Sequence, residues 1–103
     1  DLSQPRIINA AQMLAAAINK AGTADDMVAV ASALEGMEFD SKLLGTKVLM
    51  RAKDHQAIQN VHVGIHTDDV DIDYDNSGYG VKTYATVEMA SADSPTTCKM
   101  KRP

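Results

Sequence analysis

Two stripes of apolar residues at helical spacing, each stopped by a glycine, constrain this chain more than any other feature. Ile7, Ala11, Leu14 and Ile18 recur on one side of a 3.6-residue period. Ala10, Ala17 and Ala21 widen that stripe, while Asn9, Gln12 and Asn19 fall largely outside it. Pro5 suits a first turn, Ser3 is a candidate cap, and Gly22 supplies the left-handed residue that commonly ends a helix. Thr23 followed by Asp26 resembles a second capping arrangement, after which Met27, Val30, Ala31 and Leu34 form another stripe that stops at Gly36. The spacing predicts helices over Ile7–Ala21 and Ala24–Leu34, packed as a hairpin through Leu14, Ile18, Val30 and Leu34. Such stripes need a sheet to cover them.

From Met37 onward the period changes. Phe39 stands between polar residues, Leu43-Leu44-Gly45 reads as a turn or short 3₁₀ piece, and Lys47 to Arg51 reads as a strand. Val61, Val63 and Ile65 alternate with Asn60, His62, Gly64 and His66, the period of a strand with one buried face. Beyond Thr67, Val70, Ile72 and Tyr74 alternate with aspartates, which fits either an edge strand or a solvated acidic loop. Asn76 to Gly80 is turn chemistry, Lys82 to Met89 has strand composition, and Ser91 to Pro103 reads as an irregular tail.

With 103 residues the chain can build one domain around one modest core. Apolar residues at 45% and charged residues at 23% are ordinary globular usage, which argues against wholesale disorder. Aromatics make up only 4%, so an aromatic-lined ligand cavity is not expected. The net charge of −4, with acidic residues gathered between Asp68 and Asp75 and basic ones at Lys99, Lys101 and Arg102, argues against nucleic acid as a partner. No run approaches the ~20 apolar residues of a membrane span. The single Cys98 forms no internal disulfide; it is a free thiol in a tail or the partner of a cysteine elsewhere.

The candidate chemistry is thin. His62 and His66 would chelate a metal on a helix, but on a strand four residues span ~13 Å, too far for one ion. His55, within Asp54-His55-Gln56, reads as a turn histidine making structural hydrogen bonds. Asp73, Asp75, Ser77 and Gly78 match the first half of a calcium loop, yet its twelfth position would be Tyr84 where a glutamate is required. There is no nucleophile elbow or phosphate loop, so neither a catalytic residue, a metal ligand nor a cofactor is assigned. Met13, Met27 and Met50 read as core filling, and the basic ending Lys99 to Arg102 as solvated charge.

Three stretches carry a resemblance. Leu14 to Thr23, then Val30 to Gly36 as VASALEG, then Met50-Arg51-Ala52-Lys53-Asp54-His55-Gln56 follow the order of an A-I-x-K-A-G helix end, an A-L-E-G helix end and an R-x-x-D-H-Q segment. In that order, over roughly residues 10 to 66, the chain resembles the final third of the branched-chain amino acid binding proteins of ABC transporters. Gly78 to Lys82 and Cys98 to Pro103 are similar to the extension of one subgroup. The resemblance implies an α/β fold, the C-terminal segment of a two-lobe type I periplasmic binding fold. It implies that residues 1–59 belong to the first lobe, 60–66 form a hinge crossover strand, and 67–103 are a second-lobe segment with a C-terminal extension.

What the resemblance implies for function is capture of a small solute, an amino acid or related compound, in the periplasm for the membrane permease of an ABC importer. Where relatives often carry an aromatic about fourteen residues before the helix-ending glycine, this chain has Ile8, so ligand-binding residues remain unassigned. Its expected partners are the solute in the intact protein, the permease, and the remainder of its own chain or a second copy. The competing readings are a self-contained α+β interaction module without catalytic activity and a small hydrolase subunit.

Overall fold

The computed structural model describes residues 3–73 and 75–102. Its elements, in chain order, are α1 (Ser3–Ala21), α2 (Met27–Leu34), β1 (Glu38–Ser41), β2 (Thr46–Met50), β3 (Ala57–Gln59), β4 (Val61–Thr67), β5 (Gly80–Val87) and α3 (Met89–Ala92). The mixture of helix and sheet agrees with the expected class. Tyr74, considered part of an edge strand, lies outside the described residues; Val70 and Ile72 lie in a loop.

Helix α1 begins at Ser3, earlier than Ile7, and Pro5 stands in its first turn, where its missing N–H is no loss. Gly22 ends it at φ 72, a conformation that costs glycine nothing, and donates its N–H to Ile18 O at 2.9 Å. Helix α2 starts at Met27, not Ala24. Thr23 Oγ1 accepts the N–H groups of Asp25 (3.1 Å) and Asp26 (3.4 Å), holding residues 23–26 in a turn. Asp26 becomes the cap, its Oδ1 accepting from Ala29 N at 3.0 Å. Lys20 Nζ donates to Ala33 O at 3.0 Å, placing a cation on the negative end of α2.

The two helices do pack together, and Ile18, Val30 and Leu34 take part as expected, but Leu14 does not. Ala17, fully buried, meets Val30 and Ala33, with Ile18, Ala21, Leu34 and Met37 around them. Leu14 is 49% exposed and Ile7 69% exposed. The buried side of α1 runs instead through Asn9, Met13 and Ala17. Helix α2 has only eight residues, so it covers the end of α1 and leaves the Ile7–Leu14 side bare. Met27, expected in the core, is the first residue of α2, directly after the Asp26 cap, and faces solvent.

Strands β1, β2 and β3 form an antiparallel meander with Phe39 opposite Val48 and Leu49 opposite Ile58. Ser41, Val48 and Ile58 are the buried residues of that sheet. Gly36 N donates to Met50 O and Met50 N to Met37 O, both at 2.9 Å, which ties the end of α2 to β2. Strands β4 and β5 make a separate antiparallel ribbon, with a register shift between Val63 and Gly64. At Gly64 a side chain would begin 2.4 Å from a Val81 methyl, so glycine is the residue that fits. The expected buried face of β4 is absent: Val61, Val63 and Ile65 are all exposed. The Cα radius of gyration is 16.9 Å, against ~13 Å for a compact chain of this length, because the ribbon projects from the body.

Candidate functional site

The R-x-x-D-H-Q segment is the densest polar constellation among the described residues. Arg51 follows β2, where the chain turns back toward β3. Residues 52–54 form the turn, closed by His55 N donating to Arg51 O (2.8 Å) and Arg51 N to Gln56 O (2.9 Å). His55 takes φ 56, in the left-handed region where histidine is tolerated better than branched residues. Arg51 grips Asp54 with a two-toothed contact, Nε to Oδ1 at 2.9 Å and Nη2 to Oδ2 at 2.7 Å. Nη2 also donates to Gln56 Oε1 at 2.9 Å. Nη1 donates to Ser94 O at 2.7 Å and to the Asp93 carboxylate. All five guanidinium N–H groups are thereby engaged.

Asp54 accepts hydrogen bonds from Arg51, from the Thr96 hydroxyl and from Gln56 N, and the Arg51 contact above all holds its carboxyl well below the ordinary range. Reciprocally, Asp54 raises the pKa of Arg51. A second knot lies beside the first. Glu35 Oε1 accepts from Arg102 Nε at 2.6 Å and faces His55 Nε2 at 3.0 Å, and Arg102 also donates to Ala52 O. Arg102 first, and His55 next, lower the Glu35 pKa. The tail that read as solvated charge thus returns to the helical body through Arg102. At the root of the ribbon Asn60 Oδ1 accepts from Met89 N at 2.8 Å.

A groove of about 580 Å³ runs between α1 and the three-stranded sheet. Met13, Leu14, Val48, Met50 and Ile58 supply its apolar wall, and Asn9 lies buried in it with Oδ1 unpartnered. Among the described residues its lining contains one ionisable side chain, Arg6, and so no pair of groups for proton transfer.

The remaining candidates do not converge. His62 Nδ1 pairs with Thr86 Oγ1 at 2.9 Å, while His66 stacks on Tyr79 with ring centroids 5.8 Å apart. Both Asp73 oxygens take backbone N–H groups, Oδ1 from Ser77 (3.2 Å) and Oδ2 from Gly78 (2.7 Å), and Asp75 Oδ1 also accepts from Ser77 N (3.3 Å). These carboxylates shape a turn. Among the described residues no three His, Cys, Asp or Glu side chains gather as a metal ion would require. Cys98 is exposed in the tail. The motif spacing already grouped Arg51, Asp54 and Gln56, but nothing in the sequence points to Asp93 or Ser94 as partners of Arg51, or to Arg102 as the partner of Glu35.

A family model described as periplasmic binding protein matches residues 1–67. Among solved structures the chain is similar to the leucine-, isoleucine-, valine-, threonine- and alanine-binding protein of Brucella ovis in its closed conformation, at 25% identity and a TM-score of 0.75. That match covers 89% of this chain and 24% of the other, so the chain spans about a quarter of the length of the structure it matches. No curated protein matches it. The architecture is therefore part of a type I periplasmic binding fold. With more than half of its residues matched, the chain belongs to the periplasmic binding protein family.

Proposed function

We propose that this chain is part of an extracytoplasmic solute-binding protein that captures an amino acid or a related small solute and presents it to the permease of an ABC importer. The observation that carries this reading is the division of the strands into two sheets. The chain leaves the meander, runs out and back along the ribbon, and returns to the helical body, in a protein similar to one whose name states that it binds leucine, isoleucine, valine, threonine and alanine. A solute held between two bodies closes them by binding the closed state more tightly, and needs no chemistry from the protein. In this reading residues 1–59 belong to the first lobe, 60–66 cross the hinge, and 67–103 begin as a second-lobe segment and end in an extension latched back to the first. The bare Ile7–Leu14 side of α1 is covered by the rest of the protein or by a second copy.

The test is calorimetric titration with leucine, isoleucine, valine, threonine, alanine and phenylalanine, with light scattering for mass. The protein as its gene encodes it is expected to bind at least one of them, and the 103-residue chain alone to bind none tightly. Micromolar binding by a monomer of this chain would overturn the division of the site between two lobes. Failure of the encoded protein to bind any small solute would overturn the reading itself.

A further inference from the structure

We propose that Arg51 fixes the pivot of the hinge, locking the roots of the outgoing and returning strands to the helical body so that the ribbon bends beyond them as a unit. The consequence for solute binding rests on the reading above; the lock itself does not.

The ribbon cannot hold its own root by packing. Every residue of β4 before Thr67 is exposed, every residue of β5 after Gly80 is exposed, and a two-stranded ribbon is marginal in water. Beyond the packing of α3 against β3, what fastens it is polar. Arg51 reaches Gln56, which leads into β3 and β4, and also reaches Asp93 and Ser94, which follow β5 and α3 at 42 and 43 residues' remove. One planar group with five donors thus ties together the turn, the residue that leads into β3 and, through it, β4, and the segment that follows β5 and α3. Asn60 and Met89 add one bond at the same level. The Arg102 contacts with Glu35 and Ala52 O fix the tail further on and touch neither Gln56 nor Asp93 and Ser94. A pivot that keeps its place between open and closed states lets closure cost only the bending of two strands. A loose root must be ordered anew each time, and the loss falls on the closing equilibrium although Arg51 touches no solute. Arg51 is a positioning residue in this sense.

The experiment compares Arg51→Ala, Arg51→Lys and Arg102→Ala in the encoded protein. Amide hydrogen exchange is read at residues 60 and 87–94, and solute affinity by calorimetry. Arg51→Ala is expected to speed exchange there by about tenfold or more, Arg51→Lys by less, and Arg102→Ala by no more than about twofold. Arg51→Ala is also expected to weaken solute binding. Unchanged exchange in Arg51→Ala overturns the lock whether or not a solute binds. Faster exchange with unchanged affinity, in a protein that does bind solute, overturns its role in closure. If the encoded protein binds nothing, the role in closure falls with the solute-binding reading while exchange still decides the lock. Should Arg51→Ala not fold, Asp93→Ala removes the returning partner with Arg51 in place, and the same two readouts apply.

Discussion

Deleting the same three carbons at two isoleucines separates packing from composition. Ile58, in β3, is 4% exposed, whereas Ile72, in the acidic loop, is 61% exposed. Truncation to alanine removes about 2.4 kcal/mol of transfer free energy at a fully buried site, at ~0.8 kcal/mol per methylene. A cavity normally adds to that loss, but Ile58 borders the groove beside α1, and the space opened there joins space already present. We therefore expect Ile58→Ala to cost about 2–3 kcal/mol, at the low end of isoleucine-to-alanine substitutions. Ile72→Ala should stay within about 0.5 kcal/mol of the parent. Urea unfolding followed by far-ultraviolet circular dichroism reads both; the Ile58→Ala midpoint should fall by roughly 1–2 M with the slope unchanged. Equal effects at the two positions would refute the docking of β3 in the core, and with it the sheet that positions Arg51 and Gln56.

Two further outcomes follow from single contacts. Asp26→Ala removes the cap of α2 and should cost about 1 kcal/mol in the same assay, while Asp26→Asn, which keeps an acceptor, should cost far less. The pH response rests on Asp54 and Glu35, whose carboxyls are held below their ordinary values of 3.8 and 4.5. A carboxyl depressed on folding stabilises the fold above its unfolded value, and that stabilisation is lost as pH falls through the folded one. The Arg51 and Arg102 contacts should persist from neutrality down through 4.5 and let go only under stronger acid, seen as a change in the arginine Nε–H resonances. Release between neutrality and pH 5 would contradict it.

The C-terminal ends of both helices were legible because Gly22 and the glycine after Leu34-Glu35 mark them, whereas their starts were misplaced by three or four residues, since Thr23 closes a turn and leaves the capping of α2 to Asp26. Strands β2, β4 and β5 showed their composition or alternation over at least five residues. Strands β1 and β3, of four and three residues, are too short to display a period. The centre of the buried face on α1 could not be read, because Met13 and Ala17 form one apolar row and Leu14 and Ile18 the next, with alanines between. Only the position of α2 and the sheet buries Met13 and Ala17, keeps Ile18 at the edge of the cluster and leaves Leu14 out. The family was readable from the order of three segments. The Arg51 knot was readable only as far as the partners within five residues, since Asp93 and Ser94 come from a part of the chain whose composition suggested a loose tail.

The spacing of the contacts along the chain also sets the order in which they can form. The α1–α2 hairpin and the β1–β2–β3 meander join segments close in sequence, with the entropy of only short loops to overcome. The arginine latches close loops of 42 residues at Asp93 and 67 residues at Arg102, and the second has its last partner at the far end of the chain. On a ribosome that makes the chain from its N-terminus, the helices and the meander are complete before either latch has both its halves. The tail is thus fastened onto a body already formed, and its bonds act on how slowly that body comes apart more than on how fast it assembles.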